Sequence, residues 1–386
     1  MNLSISSLTA WLVLASVLGG CSAQAPVRQP NVALMHTIHD AVPNSWREGA
    51  DSTEDVLPLE VSPDLRQFVR STGRSNDEAR ERILALTRAI IAPDGVGLKY
   101  DSAGTHTAAE AFRSGAGNCL GFSNLLIASA RELGLNASFE LVTHRLRWDK
   151  VDDVLLGSLH VRVVSFAGGR RMVFDFYPLP IESGSSTRPL SDDEALAHHL
   201  NNLAVRFMQD GDGANAYALI SKAIETSPGV AFLWSNLGIL LSRNEFDAHA
   251  EAALKEALLI SPETLSALSN LQRLYFQQGR HAEAAAIMHQ LEDYRASNPY
   301  YHFWLGEKAY ELGEFSDAVN HIKDAIRLKK SERDFYILLS KSYENLGLHK
   351  AALSASRKAE TVAKPRSNTY SIRSSQFETG THITRK

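Results

Sequence analysis

Residues 115–121 read "GAGNCLG", which places the thiol of Cys119 among glycines just ahead of a helical pattern. A thiol is partly ionised near neutral pH, and its thiolate attacks amide carbonyls. In residues 118–134, "NCLGFSNLLIASARELG", Leu125, Leu126, Ala130 and Leu133 recur at helical spacing, Asn118 is placed to cap the start and Gly134 to end the helix. Cys119 is therefore predicted in the first turn, where unpaired backbone N–H groups and the positive end of the helix dipole favour thiolate over thiol.

A nucleophile of this kind needs a proton carrier and a group to orient it. Two runs rich in β-branched and aromatic residues follow, "LHVRVVSF" (159–166) and "RMVFDFYP" (171–178), separated by "AGGR". With a two-residue turn at Gly168 and Gly169, His160 faces Tyr177 and Arg162 faces Asp175, so His160 and Asp175 stand diagonally on one face. A turn with an odd number of residues and no bulge sets them on opposite faces. His144 in "VTHRL" is the alternative base. Asp149, Asp152 and Asp153 form an acidic stretch whose spacing lacks a calcium-loop pattern, and it reads as a solvated loop.

The chain has 386 residues, 44% hydrophobic, with a formal charge of -4 and no broad basic stretch. That charge pattern argues against a nucleic-acid partner. No metal-ligand spacing, phosphate loop or nucleotide motif is present, so no cofactor is implied. The first twenty residues hold no charged side chain and one short apolar run, the pattern of an export signal. They end at "LGGC", which resembles a bacterial lipobox with Cys21 as the lipidated residue, although Lys and Arg are missing ahead of the apolar run. Ser22 resembles the sorting residue of lipoproteins sent to the outer membrane. With Cys21 lipidated, Cys119 has no partner for a disulfide in an oxidising compartment.

Residues 22 to about 64 hold Pro26, Pro30, Pro43 and Pro58 with little apolar periodicity and read as a tether. A helical pattern follows in "DEARERILALTRAII", ended by "PDG". The carboxy-terminal half repeats every 34 residues: Ala216, Ala250, Ala284, Ala318 and Ala352 keep that step, and Gly211, Gly279, Gly313 and Gly347 mark turns. A second small series is Ala223, Ala257, Ala325 and Ala359, with Leu291 in the remaining slot. This resembles five tetratricopeptide repeats over roughly 197–366, a family resemblance that implies a curved groove for a protein or peptide. Trp234 and Trp304 read as packing core rather than ligand cage. The last twenty residues are polar and without period, and read as disordered.

"TAAEAFRSGAGNCLGFSNLLIASARELGLNASFELV", then "LHVRVV" and "FDFYP", resembles the transglutaminase-like superfamily of papain-like cysteine enzymes, over about residues 80–180. The resemblance implies a helix bearing the cysteine packed on an antiparallel sheet, with Cys119 as nucleophile, His160 as general base and acid, and Asp175 orienting the imidazole. The family often follows the aspartate with Pro and Thr, whereas Phe176, Tyr177 and Pro178 stand here, so substrate preference does not carry over. The backbone N–H of Cys119 is one oxyanion donor, and the side chain of Asn118 or the chain around Tyr100 are candidates for a second.

The expected architecture is therefore an α+β transglutaminase-like domain at 65–190 followed by an all-α tetratricopeptide superhelix at 191–366. A signal peptide (1–20), a lipidated cysteine with linker (21–64) and a disordered tail (367–386) complete it. The expected function is a thiol enzyme acting on amide bonds, lipid-anchored at Cys21 and facing the periplasm, with a protein or peptide held by the repeats. The rival expectation is a non-catalytic envelope scaffold, in which Cys119 is buried or His160 points away.

Overall fold

The computed structural model describes residues 31–48, 56–72, 78–101, 104–143, 149–151, 154–156, 159–176, 186–362 and 370–373. In chain order the amino-terminal part runs α1 (Val32–Ala41), α2 (Asn44–Glu48), α3 (Pro63–Thr72), α4 (Ala79–Ile91), β1 (Lys99–Tyr100), α5 (Ala108–Ser114), β2 (Ala116–Gly117) and α6 (Cys119–Glu132). It continues with β3 (Ser138–Thr143), β4 (Asp149–Val151), β5 (Val154–Leu156), β6 (Leu159–Ala167), β7 (Arg170–Asp175) and β8 (Ser186–Leu190).

The central element is α6. Residues Leu120 to Ala130 are all buried, so the helix is apolar on every side rather than along the single stripe its leucines suggest. It packs between the sheet and α3, α4 and α5, and the shared core includes Leu65, Ile83, Leu125, Phe139, Val163 and Phe174. Each such fully buried side chain stabilises the fold by roughly 1.5–3 kcal/mol before the ordering entropy is subtracted.

The main sheet has strand order β8, β3, β6, β7, β9, where β9 is Tyr370–Arg373. All neighbours are antiparallel except β7 and β9, which run parallel. The β6–β7 hairpin closes with Ala167 opposite Arg170, leaving Gly168 and Gly169 as the turn. Their φ values of +59° and +72° are the left-handed conformation that such a two-residue turn requires. The even loop is thus the observed one. Strand β9 lies within the stretch read from sequence as a disordered tail; its pairing with β7 supplies a partner for backbone groups that a composition reading cannot anticipate.

The second half holds ten helices among the described residues, arranged as five hairpins. The first helices are α7 (Asp192–Gln209), α9 (Ala231–Arg243), α11 (Leu265–Gln277), α13 (Pro299–Glu311) and α15 (Arg333–Asn345). Their partners are α8 (Gly213–Thr226), α10 (Asp247–Ile260), α12 (His281–Ser297), α14 (Phe315–Leu328) and α16 (His349–Thr361). The five alanines of the 34-residue series fall in the second helices and are all buried. First helices touch their successors directly, α7 to α9 and α9 to α11, and contact between successive second helices is weaker. Strand β5 lies against α11. Trp234 is fully buried, with its indole N–H donated to the Pro228 carbonyl at 2.9 Å. It is packing core, as its position implies.

The span read as a tether is partly structured. Met35, Ile38 and Val42 recur at helical spacing and are buried against α8 and α10, and Trp46 packs on Tyr217 and Phe246 with ring centroids 5.7 and 5.8 Å away. The prolines on either side dominate the composition and hide this short apolar period. Cys21 and Ser22 lie outside the described residues, and no described helix is long and apolar enough to cross a membrane.

Candidate active site

Each glycine around Cys119 meets a local need. Gly115 ends α5 in the left-handed conformation (φ +61°), as the chain turns into β2. Strand β2 pairs in parallel with β1, Lys99 beside Ala116 and Tyr100 beside Gly117, which brings the segment after Tyr100 alongside the entry to α6. At Gly121 a Cβ would stand 3.4 Å from the Gly104 carbonyl and the His106 amide, so a side chain there would press on the 104–106 loop.

Asn118 caps α6 as expected: its Oδ1 accepts from the N–H groups of Leu120 and Gly121, both at 3.0 Å. Its Nδ2 donates to Thr105 Oγ1 at 2.7 Å. Oδ1 and one of the two Nδ2 N–H groups are thereby engaged. The N–H of Cys119 itself takes no partner among the described residues, as the first amide of an α-helix does when no cap reaches it.

His160 and Asp175 meet in the sheet. His160 Nε2 lies 2.7 Å from Asp175 Oδ1, and both residues are buried. Arg162, which the register sets opposite Asp175, gives its guanidinium to Glu140 on β3, with Nη2 2.6 Å from Oε2. The imidazole of His160 and the thiol of Cys119 also act on each other electrostatically. Cys119 is half-buried as a residue. The backbone amide of Val161 lowers the thiol pKa as well. Sequence reading missed this donor, since a main-chain amide leaves no mark in the side-chain pattern.

The electrostatics follow from these contacts. Burial pushes the Cys119 thiol up, but the His160 hydrogen bond and charge and the Val161 amide bring it below its ordinary value. Burial pushes His160 down, yet the hydrogen bonds to Asp175 and Cys119 raise it to about 9. The two shifts agree in direction and favour a thiolate–imidazolium pair. Phe176 stacks on Phe122 with centroids 4.5 Å apart and lies 6.3 Å from the Tyr100 ring, giving the site an apolar flank.

The fallback base His144 and the acidic residues Asp152 and Asp153 lie outside the described residues, as does Tyr177. No group of histidine, cysteine and carboxylate side chains able to hold a metal occurs among the described residues.

The second half is an array of five helical hairpins. No protein-family profile matches the chain, and no curated protein matches it. Among solved structures, MamA 41-end from Desulfovibrio magneticus RS-1 is 14% identical, the match covering 46% of this chain and 98% of that one, with a TM-score of 0.25. A structure of MamA AMB-1 is 21% identical over 42% of this chain and 90% of that one, with a TM-score of 0.23. At such values the likeness fixes neither function nor partner.

Proposed function

We propose that the chain is a thiol enzyme acting on amide bonds, with a transglutaminase-like domain carrying Cys119, His160 and Asp175 and a repeat array that holds a protein or peptide. The observation that carries this reading is the buried His160–Asp175 hydrogen bond at 2.7 Å, with Cys119 near enough for its thiol and the same imidazole to shift each other's ionisation. The scaffold alternative expects a buried thiol or a His160 turned elsewhere.

In this mechanism the Cys119 thiolate adds to the carbonyl carbon, and the developing oxyanion is received by the Cys119 amide N–H. The His160 imidazolium donates its proton to the departing amine as the C–N bond breaks. Asp175 acts on the other ring nitrogen, fixing the tautomer and supporting the imidazolium charge. The acyl-enzyme then passes to water, with His160 as base, or to an amine. Hydrolysis is the default, since transfer requires a site that excludes water. Support for the partner-binding role comes from the repeat architecture, in which stacked hairpins build an extended surface.

Anchoring at Cys21, export and an outer-membrane position facing the periplasm are part of the same proposal and rest on "LGGC" and Ser22. Metabolic labelling with an alkynyl fatty acid tests it: label lost in Cys21→Ala supports the anchor, and an unlabelled parent protein overturns it. For the chemistry, peptide and glutamine-amide substrates are incubated with the protein and the Cys119→Ser variant, with and without an added amine. Turnover or an acyl adduct on Cys119, absent from the variant, supports the enzyme. Turnover that survives Cys119→Ser refutes it.

A further inference from the structure

We infer that Asn202, on the first helix of the repeat array, is a positioning residue for Cys119, acting through Thr105 and Asn118. The inference rests on the thiol-enzyme reading of the site. Asn202 Nδ2 donates to Thr105 Oγ1 at 3.3 Å, the same oxygen that receives Asn118 Nδ2 at 2.7 Å. Thr105 and Asn118 are both buried and Asn202 is half-buried, so the Asn118 amide cannot exchange its partner for water without opening the interface.

The chemistry of the shared oxygen gives Asn202 its role. An amide can sit in its site either way round, and only its hydrogen-bond partners decide which end is the oxygen. Asn118 caps α6 only while its Oδ1 faces the N–H groups of Leu120 and Gly121, which requires an acceptor for Nδ2. Thr105 Oγ1 is that acceptor, but a hydroxyl can also rotate to donate. A second N–H, from Asn202, takes the other lone pair of the same oxygen and directs the hydroxyl proton away. The repeat array thus holds Thr105 as an acceptor and Asn118 in its capping orientation, one residue before the nucleophile.

A second grip lies one turn back on α7. Asn124 of α6 donates Nδ2 to the His106 carbonyl at 3.0 Å and lies 3.4 Å from Nδ1 of the buried His199, so α7 meets the 104–106 loop and α6 on the face that carries both His199 and Asn202. The Asn118 main-chain N–H is donated to the Gly104 carbonyl at 2.9 Å, which ties the same loop to the cap. Loosening this loop rotates the start of α6, with the Cys119 amide and sulfur on it. Sequence reading could have flagged Asn202, because Asn202, Asn236 and Asn270 follow the 34-residue step. Nothing in the sequence places Thr105 against it.

The test is the rate of iodoacetamide alkylation of Cys119 against pH, followed by peptide mass spectrometry on the full chain with Cys21→Ser. The parent is compared with Asn202→Ala, Thr105→Val and Thr105→Ser, with thermal melting as the control for folding. The expected result is a rate at pH 6.5 about threefold lower in Asn202→Ala and Thr105→Val, less than the roughly fivefold that one whole hydrogen bond represents. The profile shifts upward in pH in both, and Thr105→Ser keeps the parent profile. If the parent shows a depressed, His160-dependent profile and both variants match it, the relay is refuted while the active-site reading stands. If the parent itself behaves as an ordinary thiol, the active-site reading fails first and the relay falls with it. Should Asn202→Ala melt early, Thr105→Val breaks the same bond from the other side and decides the matter.

Discussion

His160 Nε2 and Asp175 Oδ1, on neighbouring strands, stand 2.7 Å apart in the buried part of the sheet, and the Gly168–Gly169 turn sets the register that brings them together. A single inserted residue in that turn moves Asp175 to the opposite face. The carboxylate also has an electrostatic effect: burial alone drives the imidazole toward its neutral form, whereas His160 is raised to about 9.

Asp175→Asn keeps the shape and removes the charge. The His160 pKa is then expected to fall from about 9, because burial still lowers it while the support of Asp175 is gone and only that of Cys119 remains. The imidazolium population at pH 7–8 shrinks with it, and turnover drops by at least tenfold. Titration of the imidazole resonance by NMR checks this, and an unchanged pKa would refute the assigned role. The sign for stability follows from the same shift. His160 binds its proton more tightly in the folded state, so its contribution is complete below 6.5 and is lost as pH rises through about 9.

The turn series of the repeats contains one exception. Gly211, Gly279, Gly313 and Gly347 all have positive φ, and the member that completes their 34-residue step is Glu245, at φ +65° and exposed. A residue with a Cβ in this conformation costs about 1–2 kcal/mol, partly offset by the greater chain entropy that glycine adds to the unfolded state. Glu245→Gly is expected to stabilise the protein by about 0.5–1 kcal/mol, read as a higher urea midpoint at constant slope. A lower midpoint contradicts the strain argument.

Two histidines on α7 titrate the other way. Burial holds His198 and His199 at about 4, so the unfolded chain takes up protons between about 6.5 and 4 that the folded chain does not. Stability falls as pH drops through that window, by up to about 3 kcal/mol for each histidine. His198 packs on Phe232 with centroids 4.8 Å apart, and His199 adjoins Asn124. Replacing His198 by Phe and His199 by Asn should flatten the urea midpoint between pH 6.5 and 4. An equally steep profile in the double variant assigns the acid sensitivity elsewhere.

Legibility in the sequence tracked how local each feature is. The 34-residue step marks the hairpins because small residues must recur where two helices approach closely. The helix start at Cys119 is readable because Asn118 and the glycines are adjacent to it. The pairing of His160 with Asp175 needed only the parity of a two-residue turn. Features made by distant chain segments left no such trace. The docking of α1 and α2 on α8 and α10, the pairing of β9 with β7, the effect of the Val161 amide on the thiol and the Asn202–Thr105 bond each join residues remote in sequence.

The most direct test of the central claim is the alkylation rate of Cys119 against pH in the parent protein and in His160→Ala. The account predicts that reactivity in the parent persists well below the free-thiol range, because thiolate is stabilised by the neighbouring imidazolium. Removing His160 should move the midpoint upward and slow the reaction at pH 6.5 by at least tenfold. A parent thiol that titrates like free cysteine and ignores the loss of His160 would contradict it.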